Sequence, residues 1–311
     1  IGKKIYFLKN NENSEYEDDK YFNIEQLNKI PLEINESNTS LFLNNKECQF
    51  SNYFIPKEEG TYQIKLKLFF KITECSYLFC GCEKIKSIDL SLLNTENVKN
   101  MKYMFYKCRG LENTDLSSLN TKYVVDMEGM FECCKIEGLN LSSLNTENVQ
   151  NMKHMFYECR NLKKLDLSSF NTKNVTNMNC MFYGCSLIKE LNLSNFNTEN
   201  VKDMGGLFYK CSSVNNLNLL NFKTNNVTNM SYMFYECSKI EELDLSNFNI
   251  FKLSSISYMF YKCSSLINLK LPNFNTENKI EKFRMFSGCS KELKMKISQE
   301  IDNLSVDAFY D

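Results

Sequence analysis

From Cys75 onward the apolar residues fall into columns that repeat every 26 residues. Cys82, Cys108, Cys134, Cys159, Cys185, Cys211, Cys237, Cys263 and Cys289 are separated by 26, 26, 25, 26, 26, 26, 26 and 26 residues, and Phe79, Phe105, Phe131, Phe156, Phe182, Phe208, Phe234, Phe260 and Phe286 keep step with them. Such self-similarity marks a repeat architecture, in which no unit covers its own apolar face and stacked neighbours bury one another. Within a unit the apolar period changes once. Leu165 and Leu167 alternate with polar residues, the mark of a short strand with one buried face. Val175, Met178, Met181, Phe182 and Cys185 then step by 3, 3, 1 and 3, which predicts the inward stripe of a short helix. Asn171 and Thr172 sit between the two segments as turn formers. Each unit thus reads as strand, turn, helical segment and return.

The first 70 residues lack the repeat. Lys4–Leu8 alternates like a strand, and Asn10–Asp19 is a polar, acidic loop. Leu41–Leu43, Asn44-Asn45 and Cys48–Phe50 read as a hairpin, and Tyr62–Phe70 as a further strand. The organisation expected is a β-rich cap over 1–70, a stack of about nine units over 71–297, and a tail or cap over 298–311. Departures cluster in two places. The third unit is one residue short between Cys134 and Leu141, which predicts a tighter loop near Gly138. Towards the end Ile250, Lys252 and Leu253 replace the usual Thr, Asn and Val. Lys279 then takes a Val position, so Ile280 and Phe283 are expected to supply the apolar contacts, with Met295 and Ile297 in a last strand.

The L-x-x-L-x-L frame resembles leucine-rich repeats. The longer signature, N-T-x-N-V-x-N-M followed by M-F-Y-x-C as in Asn171–Cys185, resembles the BspA-type leucine-rich-repeat surface proteins, in particular their 26-residue repeat group known from mycoplasmas and other microbes. The likeness runs from about Cys75 to Ile297. It implies an α/β repeat: a right-handed solenoid with one parallel sheet, capped here by the N-terminal β-rich module. It also implies surface adhesion or partner binding, and it brings no catalytic residues.

Composition narrows the function further. Lys plus Arg number 37 against 38 Asp plus Glu, so no charge excess points to nucleic acid or an anionic membrane. No run approaches the roughly 20 apolar residues of a membrane helix, and residues 1–20 lack the apolar core of a signal peptide. The nine column cysteines point inward one rung apart, a geometry that suits buried free thiols better than disulfides. Cys48, Cys75, Cys80, Cys133 and Cys180 lie outside the column, where a local bridge stays open. So many unpaired thiols favour a reducing compartment, whereas the resemblance favours the cell surface. No zinc pattern occurs. His154, the single histidine, takes a position held elsewhere by Tyr, Gly and Cys, and is expected at the surface. With no phosphate loop and no converging carboxylates, the chain reads as a non-enzyme without cofactor or metal.

Two surface columns remain. Alternation places Asp89, Asp115, Asn140, Asp166, Asn192, Asn218, Asp244 and Lys270 on the open, concave face of the sheet, flanked by Lys164, Glu190, Asn216, Glu242 and Asn268. This polar, mildly acidic ladder is the candidate face for a protein partner, and a purely solvated sheet face is its bland counterpart. Tyr106, Tyr157, Tyr183, Tyr209, Tyr235 and Tyr261, interrupted by Glu132 and Ser287, form a flank column. Its rings serve packing between rungs or, in a structural subunit of a larger assembly, contact with neighbours. Asn-x-Ser/Thr sites such as Asn140, Asn174, Asn192 and Asn226 arise automatically from the Asn-rich repeat.

Overall fold

The computed structural model describes residues 2–8, 34–272, 280–301, 304 and 306–310. The acidic stretch expected as a loop over residues 10–19 lies outside them, as does Lys279.

The N-terminal module is built from short antiparallel strands. β1 (Ile5–Tyr6) pairs with β4 (Tyr53–Phe54), and β2 (Thr39–Leu43) lies between β3 (Lys46–Cys48) and β5 (Ile64–Leu68). The Asn44-Asn45 hairpin forms as expected, with φ of 49° and 63° at the two asparagines. Asn tolerates this left-handed backbone, and such a turn carries the twist of the strands it joins. Phe7, Leu8, Ile34 and Leu41 are buried in the same core as the first repeat units.

Each unit then pairs in parallel with the next. β6 (Ser87–Ile88) pairs with β7 (Asn113–Thr114), β8 (Gly138–Asn140) with β9 (Lys164–Asp166), and β10 (Glu242–Asp244) with β11 (Asn268–Lys270). A bridge from Glu190 to Asn216 continues the row. This row is therefore a set of two-stranded pieces where one sheet was expected. The unbroken parallel row runs elsewhere in the unit, through Asn100, Asp126, Asn151, Asn177, Asp203, Asn229, Ser255 and Glu281.

Among the described residues the expected helical segment is absent from the units. Met178–Cys185 is instead a chain of tight turns: Met181 donates its N–H to Met178 O, Tyr183 to Cys180 O, and Cys185 to Phe182 O. The amides between them donate to the next rung, Cys180 to Gly205 O, Phe182 to Leu207 O and Gly184 to Tyr209 O. Turns with an inward residue at each corner also place apolar residues three apart, the same spacing as the stripe of a short helix. Cys180 and Gly184, with φ of 53° and 72°, cannot belong to a right-handed helix. The same two positions, four residues apart, have positive φ in the other units, for example Tyr103 and Lys107, His154 and Glu158, and Tyr258 and Lys262. An eight-residue helix is weak alone. Here the inter-rung bonds satisfy the amides it would have used and hold non-glycine residues in a costly conformation.

Stacking repeats a few contacts down the axis. Phenylalanine rings from Phe79 to Phe286 lie nearly parallel with centroids 5.4–6.0 Å apart. Beside them every column cysteine from Cys108 to Cys289 donates its S–H to the Phe carbonyl of the preceding rung at 2.9–3.2 Å. Burial pushes the Cys108, Cys185 and Cys237 thiols well above the ordinary range, which keeps the donor proton in place. None of the fourteen cysteines is in a disulfide. Buried Thr95, Thr121, Thr146, Thr172, Thr198 and Thr224 add a third column: each hydroxyl donates to a carbonyl of the next rung at 2.9–3.1 Å. Five of the six also accept an N–H from that rung.

The C-terminal expectation needs correction. Met295 and Ile297 lie in α1 (Lys291–Glu300), where Ser290 accepts the Leu293 N–H as N-cap. Leu293 and Ile297, one turn apart, are its buried face, while Met295 is exposed. The last rung is completed by a 3-10 turn at Val306–Phe309: Arg284 donates to Asp307 O, Phe286 to Ala308 O, and the Phe309 ring stacks on Phe286 at 5.5 Å. Ile280 is buried as expected, whereas Phe283 is exposed.

Candidate functional site

The open row carries the polar ladder. Asp89, Asp115, Asn140, Asp166, Asn192, Asn218 and Lys270 are exposed and Asp244 is half-buried. The structure gives these residues a local task that spacing did not reveal. Asp89, Asp115, Asn140, Asp166, Asn192 and Asp244 each accept, through Oδ1, the N–H of the serine two residues on, and Asn218 accepts that of Leu220. These Asx turns end the strand and start the bend that follows. Hydrogen bonds from Ser91, Ser117 and Ser168 hold the Asp89, Asp115 and Asp166 carboxyls below the usual range. The Ser246 hydroxyl, the Lys270 ammonium at 2.9 Å and the Ser246 amide bring Asp244 down to about 2. Lys270 therefore closes the ladder by pairing with Asp244, and Asn268 donates to Glu242 beside it at 2.8 Å. Three single carboxylates, Asp89, Asp115 and Asp166, have no ion-pair partner among the described residues.

The tyrosine column divides in two. Tyr106 is fully buried, in edge contact with Tyr103. Tyr157, Tyr183, Tyr209, Tyr235 and Tyr261 are half-buried and stack face to face at 4.1–4.5 Å. Burial raises the Tyr157, Tyr183, Tyr209 and Tyr235 hydroxyls above their ordinary range. The inner rings Tyr183, Tyr209 and Tyr235 thus have a stacked neighbour on both sides.

Where that column breaks, the expectation of a surface histidine fails. His154 and Glu132 are both buried, 1% and 2% exposed, with Nδ1 and Oε2 3.5 Å apart. The His154 ring lies 4.7 Å from Tyr157. Glu132 replaces a flank tyrosine, and His154 takes the left-handed position of the next rung. The signal was a coincidence of two irregular residues in adjacent rungs, each of which looks incidental alone. One further ionic cluster sits nearby. Glu128 meets Lys102 at 2.7 Å, Lys153 at 3.7 Å and the Tyr103 hydroxyl at 3.2 Å. Burial alone would raise Glu128, but the Lys102 bond and charge outweigh it and lower its pKa, while burial raises that of Asp126. Gly129 belongs to this region because a Cβ there would stand 2.1 Å from the Tyr103 ring.

Among the described residues no group of His, Cys, Asp and Glu is placed to hold a metal, and no helix is long and apolar enough to cross a membrane. The Asn174 and Asn226 amides donate to carbonyls of the preceding rung, Glu147 O at 2.8 Å and Glu199 O at 2.9 Å.

A family model described as Mycoplasma protein of unknown function, DUF285, matches the chain twice in tandem, over residues 73–191 and 181–299. No curated protein and no solved structure matches.

Proposed function

We propose that this chain, which belongs to the Mycoplasma family of unknown function DUF285, is a non-catalytic protein-binding adhesin or interaction scaffold. In this reading the stacked units are a leucine-rich-repeat solenoid of the BspA surface-protein type. The polar row is its concave face, and Asp89, Asp115, Asn140, Asp166, Asn192, Asn218, Asp244 and Lys270 are its contact ladder. The observation that carries the reading is the spacing of single carboxylates along one open face, each pre-oriented by its own Asx turn. Side chains already fixed by a backbone bond lose little freedom when a partner docks. Rungs about 4.8 Å apart make this a broad, salt-sensitive contact with basic or amide side chains, not one deep pocket.

The test uses Asp115→Asn, Asp166→Asn and Asp244→Asn together. Asparagine keeps the turn, as Asn140, Asn192 and Asn218 do, and removes the charge. Binding of the protein captured from the native source, followed in increasing salt, should collapse while the chain stays folded at the assay temperature, with only the small loss of stability expected from the Asp244–Lys270 pair. Unchanged binding would overturn the ladder. A structural subunit contacting neighbours through its flank is the second reading, favoured by Tyr232 and Phe283, 40% and 41% exposed at that side. It requires that Tyr232→Ser with Phe283→Ser, rather than the asparagine triple, breaks the contact.

A further inference from the structure

The position after the column cysteine changes character along the stack. In the later rungs it is serine, and Ser186, Ser212 and Ser238 each reach the carbonyl of the preceding rung at 3.5 Å. In the first four rungs it is Glu83, Arg109, Lys135 and Arg160, the last of them paired with Glu158 of its own rung. The same place holds the one-residue deletion. Ile85, Leu111, Leu162 and Ile188 each close a turn onto the cysteine three residues back, whereas Ile136 follows Cys134 by only two residues. Beside it lies a cleft of about 400 Å³ lined by Glu83, Lys84, Lys86, Arg109, Glu112 and Lys135, with Gly110 between them. Gly110 is needed there: a Cβ would stand 2.5 Å from Glu83 O and 2.9 Å from Ile85 O, so the wall is bare backbone.

We propose that this cleft is a second binding site, taking an acidic stretch of a protein chain. Two of its four cations are already matched, Arg109 by Glu83 at 3.3 Å and Lys86 by Glu112 at 3.5 Å. Lys84 and Lys135 are exposed and make no ion pair among the described residues. The site thus offers two separated single positive charges between fixed carboxylates. A compact dianion or a nucleic-acid backbone would meet Glu83 and Glu112 head on, whereas spaced Asp or Glu side chains can reach the two lysines and leave the carboxylates facing amides. The charge is of opposite sign to the ladder, so the two sites select different segments, and this one stands whether or not the ladder binds.

The probe is a fluorescent hexaglutamate peptide, followed by anisotropy in low salt with the whole chain. Saturable binding is expected, weakening as salt is added. Lys84→Glu with Lys135→Glu should reduce affinity roughly tenfold, and the milder Lys84→Gln with Lys135→Gln should reduce it less. Lys99→Glu with Lys122→Glu alters the net charge equally on exposed lysines outside the cleft and should leave binding near that of the parent. The asparagine triple of the ladder should bind the peptide undiminished, which separates failure of this site from failure of the other. Absence of saturable binding, or equal losses from the two lysine pairs, would overturn the proposal.

Discussion

The rungs from Cys159 to Cys263 and the rungs around Cys134 share one backbone plan and fill its flank by opposite means. In the later rungs five half-buried tyrosines stack face to face, and the flank is a uniform aromatic column. Around Cys134 the same positions hold Tyr106, Glu132 and Tyr157, with His154 and Gly129 in the neighbouring column. A buried carboxylate facing an imidazole stands in for a ring. The backbone absorbs this because its register is set by bonds that ignore side chains: Tyr103 N to Glu128 O, Gly129 N to Lys153 O, His154 N to Asn179 O and Cys180 N to Gly205 O form one series across both regions. Register belongs to the main chain and to the Phe, Cys and Thr columns, while the flank is free to vary.

The largest effects should come from truncations that leave something buried without its counterpart. Glu132→Ala leaves the buried His154 imidazole without its facing carboxylate and should destabilise by about 3 kcal/mol. Phe182→Ala opens a cavity between two stacked rings and should cost about 3–5 kcal/mol. Chemical denaturation at neutral pH checks both. If Glu132→Ala cost less than Tyr183→Ala, the Glu132–His154 contact would be a passive substitute and the contrast between the regions would lose its energetic meaning. At the end of the stack Phe309 is only half-buried, so Phe309→Ala should cost about 2 kcal/mol, in proportion to the smaller apolar area it covers. Equal losses at Phe182 and Phe309 would show that the closing turn is as cooperative as a full rung.

A smaller effect tests the claim that register is carried by shared columns. Thr172→Val keeps the shape but removes a donor to Asn197 O and an acceptor for Asn197 N–H, both partly buried between rungs. Its cost should be about 1–3 kcal/mol, with Thr172→Ser close to the parent in thermal denaturation. The chain supplies its own comparison at Ile250, which takes the threonine position and is buried without a hydroxyl. A negligible cost for Thr172→Val would mean that the backbone rows alone hold the rungs.

These contrasts also mark how far the amino-acid pattern could be read. The columns Phe79–Phe286 and Cys82–Cys289 announced the repeat, its inward faces and the parallel pairing, because burial on a fixed period leaves a strong trace in composition. The Asn44-Asn45 hairpin was equally plain. The turn chain at Met178–Cys185 was not, since corners three apart imitate a helical stripe, and the left-handed residues Cys180 and Tyr232 are types that rarely adopt that backbone. The closing turn at Val306–Phe309 copies a rung with four residues, too few for any period. In the ladder, exposure followed from alternation, but the Asx role did not, because a residue bonded two positions ahead and a free surface residue obey the same spacing. The Glu132–His154 pair was hidden for a different reason: its members fall in different columns and meet only across a rung boundary.

The smallest expected effect separates the middle of the ladder from its paired end by pH. Asp166 is held down by Ser168 alone, while Asp244 is held down by Ser246 and Lys270 together, from 3.8 to about 2. A carboxyl whose pKa is lower in the fold than in the unfolded chain contributes stability above its unfolded value, and that contribution disappears as pH falls through the folded value. The stability difference between the parent and Asp244→Asn should therefore be constant at neutral pH and shrink between about pH 4 and pH 2. Lys270→Met should narrow that window from below by raising the Asp244 pKa, because the ammonium no longer favours the ionised form. Asp166→Asn, which loses no ion pair, should show a narrower window in the same denaturation series. Carboxyl titration by NMR reads the two sites directly: Asp244 should ionise at lower pH than Asp166 in the parent, and the gap should close in Lys270→Met. A parent in which the two carboxyls titrate together would show that Lys270 does not engage Asp244 in solution, and the ladder would then offer four equivalent carboxylates instead of three and a closed end.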